Sequence, residues 1–273
     1  MPATPEHGPT VTTPVTLERI GSDTRLRGAS LSDWFDPFLP LFAREAVACG
    51  GQALVAVQHE AVVGLLLTDP AERTASVFAR GPGVAARLAG SAEGFSIFTE
   101  ADLGAPSEEY TVFTADLATE PAPTLRHPVR VVSRSGFDRV VALLEEMYGP
   151  PTARWARVAR EEGETCLAVE AGGSLAGVAW VQVVGSQARL HTLSVRTGFR
   201  RTGIGSDLLT ARLLWARQAG ATRAVSEISE HNPASRAVAE RAGMRPAGRV
   251  HLYARPAPPH AAVRPLPFAA TSS

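Results

Sequence analysis

The sequence predicts an α/β fold (α+β in some schemes): a mixed sheet with helices on its faces. Three observations predict it. Residues 129–256 alternate as β-α-α-β-β-β-α-β-α-β. A weaker copy of part of that order recurs in the first half. A Gly-rich stretch, "GFRRTGIGSDLL" (198–209), turns a strand directly into a helix.

The strand "VRVVS" (129–133) opens the second half, and "SGFDRVVALLEEMYG" follows with apolar residues at helical spacing and Ser135 placed to cap it. "PTARWARVAREEGE" reads as a second helix. "TCLAVE" and "LAGVAWVQVVG" read as strands of a hairpin joined by "AGGS". "ARLHTLSV" (188–195) is the next strand. A long helix then starts at Gly203, with Ile204, Leu208, Ala211, Trp215 and Ala219 on one face and Gly220 as its stop. "TRAVSEIS" is a strand, "NPASRAVAERAG" a capped helix, and "AGRVHLYAR" a final strand.

In the first half, "GGQALVAVQHEAVVGLLLT" (50–68) parallels "GETCLAVEAGGSLAGVAWVQV" (163–183), each with a glycine in its second strand. "RTASVFARGPGVAARLAG" (73–90) parallels the later strand and Gly-rich helix start. The two halves are expected to form similar but unequal mixed sheets packed together. Composition shifts divide the chain into a disordered start (1–16), a degenerate first domain (17–117), a linker (118–128), a second domain (129–256) and a disordered tail (257–273).

Bulk properties exclude more than they assign. The 273 residues carry 45% hydrophobic and 20% charged residues, as a globular protein does. A formal net charge of zero gives no global reason to expect nucleic acid as a partner. All 27 basic residues are arginine, so no lysine can act as a base. Cys49 and Cys166 match no metal or redox spacing and fit a reducing cytoplasm. No metal site is expected. The first residues lack the pattern of a signal peptide, and no apolar run approaches the roughly 20 residues of a membrane helix. Nothing read here opposes a homodimer.

The chemistry concentrates at Arg200, Gly203 and Gly205. A helix beginning there leaves its first N–H groups without intrahelical partners, and these donors with the helix dipole favour an anion. Glycine lets the anion approach the backbone. Arg200 and Arg201 can add charge-assisted hydrogen bonds. The spacing is neither a dinucleotide fingerprint nor a P-loop, which argues against a nucleotide-binding protein using this loop.

With "LHTLSVRTGFRRTGIGSDLL" followed about twenty residues later by "NPASRAVAERAGM", the second half resembles the GNAT superfamily of acyl-CoA-dependent N-acetyltransferases. The resemblance covers roughly 128–256, and 50–117 only weakly, so the chain looks like a tandem GNAT with a degenerate N-terminal half. It implies the mixed-sheet GNAT fold and acetyl-CoA as acyl donor to an amine. It also implies a strand, here Leu193, Ser194 and Val195, whose backbone pairs with the pantetheine arm. The pyrophosphate loop falls on Arg200, Arg201, Thr202, Gly203, Ile204, Gly205 and Ser206. Asn232 either contacts the cofactor or simply caps its helix. Arg241 is read as a charge partner for the end of that helix.

Glu227 stands where several GNAT enzymes carry a catalytic glutamate. A carboxylate in an apolar strand needs a cleft or an ion pair, so it is either the base or the partner of an arginine. His191, expected on the same side of its strand as Leu193, either relays a proton or is a satisfied sheet residue. Glu230 is read as solvated. Many GNAT enzymes place a tyrosine seven residues after the motif asparagine; here Ala239 occupies that place. The loss leaves a second reading open, a catalytically silent acyl-CoA-binding or scaffold protein. In the first half Arg80, Gly83 and Ala85 keep the motif spacing, but Pro82 removes one N–H donor.

Overall fold

A computed structural model of the protein describes residues 15–20, 38–59, 61–117 and 124–254. The expected disordered tail, most of the linker and residues 1–14 of the expected disordered start therefore lie outside the described residues; the start is corrected at its end, where Val15 packs on the core and Thr16 opens the first strand. The elements run β1 (Thr16–Arg19), α1 (Leu39–Ala48), β2 (Ala53–Gln58), β3 (Ala61–Asp69), β4 (Thr74–Ala79), α2 (Pro82–Ser91), β5 (Ser96–Thr99) and β6 (Glu108–Asp116). The second half continues as β7 (Val129–Val131), α3 (Phe137–Tyr148), α4 (Pro150–Glu161), β8 (Thr165–Ala171), β9 (Ser174–Val184) and β10 (Gln187–Val195). It ends as α5 (Ile204–Gln218), β11 (Arg223–Ser229), α6 (Pro233–Arg241) and β12 (Arg245–Tyr253).

The expected order of the second half is present, but the expectation of two sheets is corrected. Among the described residues twelve strands form one sheet, in the order β1-β2-β3-β4-β5-β12-β6-β11-β10-β9-β8-β7. The reason lies in the last strand of each half. β6 inserts between β11 and β12, pairing antiparallel with both. β12 inserts between β5 and β6. Each half thus completes the other's hydrogen-bond ladder. An unpaired inner edge would expose a row of N–H and C=O groups, and the exchange removes it from both.

The halves keep a common plan. Each contains one parallel strand pair bridged by a helix, β4-α2-β5 and β10-α5-β11. Each bridging helix lies close to a glycine in the preceding hairpin. A Cβ on Gly64 would stand 2.6 Å from Leu88 Cδ1 of α2, and one on Gly177 would stand 3.1 Å from Ile204 and Leu208 of α5. Residues after β5 run straight to β6, so the first half has no counterpart of α6 among the described residues.

Two local expectations change. Ser135 does not cap α3; Gly136 holds the N-cap position, and its N–H donates to Ser133 Oγ at 3.2 Å. The buried face of α5 ends at Ala216, and Ala219 is exposed because it lies beyond the last turn. No helix among the described residues is long and apolar enough to cross a membrane.

The strand exchange makes a test. A fragment of residues 118–273 lacks β6 and leaves β11 and β12 unpaired toward each other. It is expected to aggregate when expressed alone and to become monodisperse when co-expressed with residues 1–117. A fragment that runs as a folded monomer by size exclusion would contradict the exchange.

Candidate active site

The site begins where β10 and β11 part. They pair in parallel only from Gln187–Arg189 against Arg223–Val225. Beyond Arg189 the strand bends: its register on β9 shifts between His191 and Ser194, and Thr192 takes a φ of 47°. Thr192 and Leu193 together oppose Ala179, a bulge that turns the strand away from β11. Arg212, buried on α5, fixes this bend. Its Nη1 donates to the carbonyls of His191 (3.1 Å) and Trp180 (3.3 Å). Burial pushes its guanidinium down to about 9.

The bulge corrects one expectation. Simple alternation puts His191 and Leu193 on one side. With the inserted residue, His191 and Ser194 share the side of Trp180 and Val178, toward α3 and α4. Leu193 and Val195 instead pack toward α5. Ser194 Oγ bonds the Tyr148 hydroxyl of α3 at 2.8 Å.

Below the fork lies a cavity of about 580 Å³. Leu193 and Val195 form one wall, and Ser226, Ile228, Asn232, Val238 and Ala239 form the other. The loop before α5 closes one end through Arg200, Arg201, Gly203, Gly205 and Ser206. Gly203 is the N-cap of α5 at φ 97°. A Cβ on Gly205 would sit 3.8 Å from Leu193 Cδ2 and 3.9 Å from Val195 Cγ2, so its absence leaves open the groove between helix and strand. Such a cradle fits a narrow chain ending in phosphates.

Most of the anticipated binding residues meet at this cavity. Ser194, Thr202 and Ile204 do not line it. Ile204 is buried in the core beneath α5, and the Thr202 hydroxyl donates to the Phe199 carbonyl at 2.7 Å. Arg200 Nε donates to the Val195 carbonyl at 3.2 Å. Asn232 caps α6, accepting from Ser235 N at 3.0 Å, while also lining the cavity. Arg241 lines it as well. In the first half Gly81 is the N-cap of α2, also at φ 97°. The counterpart of Gly203 is therefore Gly81, two residues before the Gly83 that motif spacing selects.

Glu227 lies on the other face of the sheet. Its Oε2 is 3.3 Å from Arg189 Nη2, so the structural ion pair is present. Arg189 also lies over the Phe42 ring, 4.6 Å from its centre. Both residues line a second cavity, of about 90 Å³, with Phe42, Phe78, Phe98 and Val250. Glu230 is not merely solvated: it bonds the Thr111 hydroxyl and pairs with Arg236.

Sequence reading missed a buried acidic cluster beside His191. His191 Nε2 stands 2.9 Å from Glu164 Oε2. Glu45, from α1 of the first half, adjoins Glu164. All three side chains are buried. Burial, then the Glu164 charge, pushes the Glu45 carboxyl up to about 9. Burial pushes Glu164 up to about 7. Burial and the Arg189 charge push His191 down to about 3, leaving it neutral. A lone Glu in helix α1, 119 positions from Glu164, carries no local signal that could have found it. The described residues hold no cluster of His, Cys, Asp and Glu fit for a metal.

Residues 137–244 match the acetyltransferase (GNAT) family. No curated protein matches the chain significantly. Among solved structures, a GCN5-related N-acetyltransferase from Sphaerobacter thermophilus is 17% identical, with 88% of this chain and 96% of that one covered at a TM-score of 0.57. A tandem GNAT protein from the clavulanic acid biosynthesis pathway is 15% identical, covering 88% and 97% at a TM-score of 0.57. A GNAT-family acetyltransferase structure from Novosphingobium aromaticivorans is 18% identical, covering 69% and 86% at 0.52.

The cluster sets a pH dependence. Glu45 loses its proton near 4.5 when unfolded and near 9 when folded. The folded chain then binds more protons, so stability falls as pH rises through that window. Glu164 acts the same way only up to about 7. His191 acts oppositely, but only below about 6.5. The melting temperature is expected to drop between pH 7 and 9, and Glu45→Gln should flatten that slope. An unchanged slope in the variant would show that Glu45 does not stay protonated. With this arrangement on the page, residues 137–244 carry the match to the acetyltransferase (GNAT) family, and the chain as a whole has the fold of GNAT structures, a tandem GNAT protein among them.

Proposed function

We propose that the protein is an N-acyltransferase that moves an acetyl group from acetyl-CoA to an amine by direct attack, with the second half as the working domain (129–256) and residues 17–117 as a degenerate partner. The observation that carries this reading is the fork: two strands part at Arg189 and Val225 directly above a cavity that ends at a helix N-terminus with a glycine cradle. Leu193, Ser194 and Val195 offer backbone groups freed from β11 to the pantetheine arm. Arg200 to Ser206 hold the pyrophosphate, with Asn232 across the cavity.

On the opposite face Glu227 takes the proton of the attacking amine, directly or through water. Arg189, 3.3 Å away, orients it. The acceptor lies in the second cavity, so Phe42, Phe78 and Phe98 give the first half a share of the acceptor wall. His191 is the alternative base. Backbone N–H groups of β10 at the fork face the oxygen on which negative charge develops. The thiolate leaves without the tyrosine that Ala239 replaces; a thiol pKa of about 8.5 makes that tolerable, and Tyr148 brings a phenol to Ser194 at the fork from another helix.

The second reading, an acyl-CoA-binding protein without turnover, rests on Ala239, buried and apolar where a proton donor is usual. Acetylation of any amine by the wild type, measured as released CoA thiol, decides against it.

Two substitutions test the roles. Gly205→Val carries no positive-φ strain, unlike any change at Gly203, and its methyls enter the groove beside Leu193. It should abolish acetyl-CoA binding by calorimetry while the melting temperature holds. Glu227→Gln should lower the acetylation rate by about 10²- to 10⁴-fold, the usual contribution of a general base, with acetyl-CoA affinity little changed and partial rescue at higher pH. If His191→Ala loses the rate and Glu227→Gln does not, the histidine is the base.

A further inference from the structure

Sequence composition assigns 118–128 to a plain connection between halves. Its described end does not behave as one. Leu125 packs on the core beneath α5. His127 is bound twice to Asp207 in the first turn of that helix: its backbone N–H donates to Oδ2 at 2.9 Å, and its ring Nδ1 lies 2.7 Å from the same oxygen. Between these two anchors, Arg126 faces the cavity of about 580 Å³. A Cβ on Gly203 would lie 3.5 Å from both its Cδ and its Nη1.

Arg126 is exposed and makes no hydrogen bond or ion pair with any described residue. It joins Arg200 and Arg201, which line the same end of the cavity. Arg200 is already turned toward the Val195 carbonyl. Asp207 poses the opposite problem: a buried carboxylate one turn into α5 repels an anion at the helix start. Its contact with His127 supplies that carboxylate with a partner from the same segment. One stretch of chain therefore both adds a positive charge to the loop and occupies the negative one beneath it.

We infer that this segment belongs to the cofactor site: Arg126 is a ligand for a phosphate group of acyl-CoA, and Leu125 and the His127–Asp207 pair are its positioning anchors. The inference rests on the acyl-CoA reading above. A guanidinium fork meets a phosphate by paired charge-assisted hydrogen bonds, which an ammonium matches only as a point charge. Coenzyme A offers two sources of that chemistry, the pyrophosphate and the 3′-phosphate. A purely solvated arginine at this place would contribute nothing to binding.

Calorimetry with CoA and with 3′-dephospho-CoA tests it without any acceptor. Arg126→Ala should weaken CoA binding by about 10- to 100-fold, as loss of a charge-assisted contact does, and Arg126→Lys should recover part of it. The melting temperature without ligand should not move, since the side chain is exposed. A loss of equal size with both ligands assigns Arg126 to the pyrophosphate; a loss confined to CoA assigns it to the 3′-phosphate. His127→Ala should weaken binding less, and in Arg126→Ala it should add little, because it acts by placing the arginine. Wild-type affinity for both ligands in Arg126→Ala overturns the inference and leaves the acyl-CoA reading standing. A wild type that binds neither ligand overturns both.

Discussion

Arg212 holds the bend on which the site depends. A guanidinium buried inside a helix–sheet interface is costly unless its donors are used, and two are spent on carbonyls of neighbouring strands. Those carbonyls belong to the last regular pair of β10 and β9 before the bulge. The clamp therefore sits at the point where the strand changes direction. Without the bend, β10 would continue alongside β11, its free backbone groups would be consumed by the sheet, and Leu193 would face away from α5. The cavity, its wall of strand backbone and its end at the start of α5 are all consequences of one displaced residue at Thr192.

The first half is bound to this arrangement more closely than a degenerate repeat needs to be. It gives β6 to the second sheet segment and receives β12 in return. It also sends Glu45 into the cluster behind His191. A buried carboxyl held protonated costs less than an ionised one, which explains how two acids tolerate each other there. Phe42, one turn before Glu45 on the same helix, stacks on Arg189, which in turn meets Glu227. Helix α1 thus reaches the partner of each residue considered for proton transfer, Arg189 beside Glu227 and Glu164 beside His191. The first half thus builds part of the surroundings of Glu227 and His191.

What was legible in the sequence follows from range. The second-half helices and hairpin are specified by periodicity and turns over a few residues, and they appear nearly as read. The loop from Arg200 to Ser206 was legible because glycine spacing at a strand-to-helix junction has a direct steric meaning. Gly64 and Gly177 could be paired by eye because both sit in the second strand of a hairpin, and the close approach of α2 and α5 explains them. The misses share a different cause. Ser135 and Ser133 are equally good capping chemistry two residues apart, and only the turn geometry chooses. The exchange of β6 and β12 depends on partners more than a hundred residues distant, and neither strand's alternation records which edge it will join. The bulge at Thr192 has no glycine or proline to mark it, so alternation was carried one residue too far.

Arg126 shows the same limit in a functional residue. Within "TLRHP" an arginine beside a histidine and a proline looks like solvated connection, since nothing nearby gives it a surface to act on. Its meaning comes from Asp207, bonded to the neighbouring His127 from eighty positions away, whose own placement in the first turn of α5 is unfavourable for an anion site when read alone. Each residue is unremarkable or even adverse by itself; the contact between His127 and Asp207 gives both a role. A carboxylate tolerated at such a helix start is best explained by what has been placed against it, and here that is the segment carrying the additional positive charge.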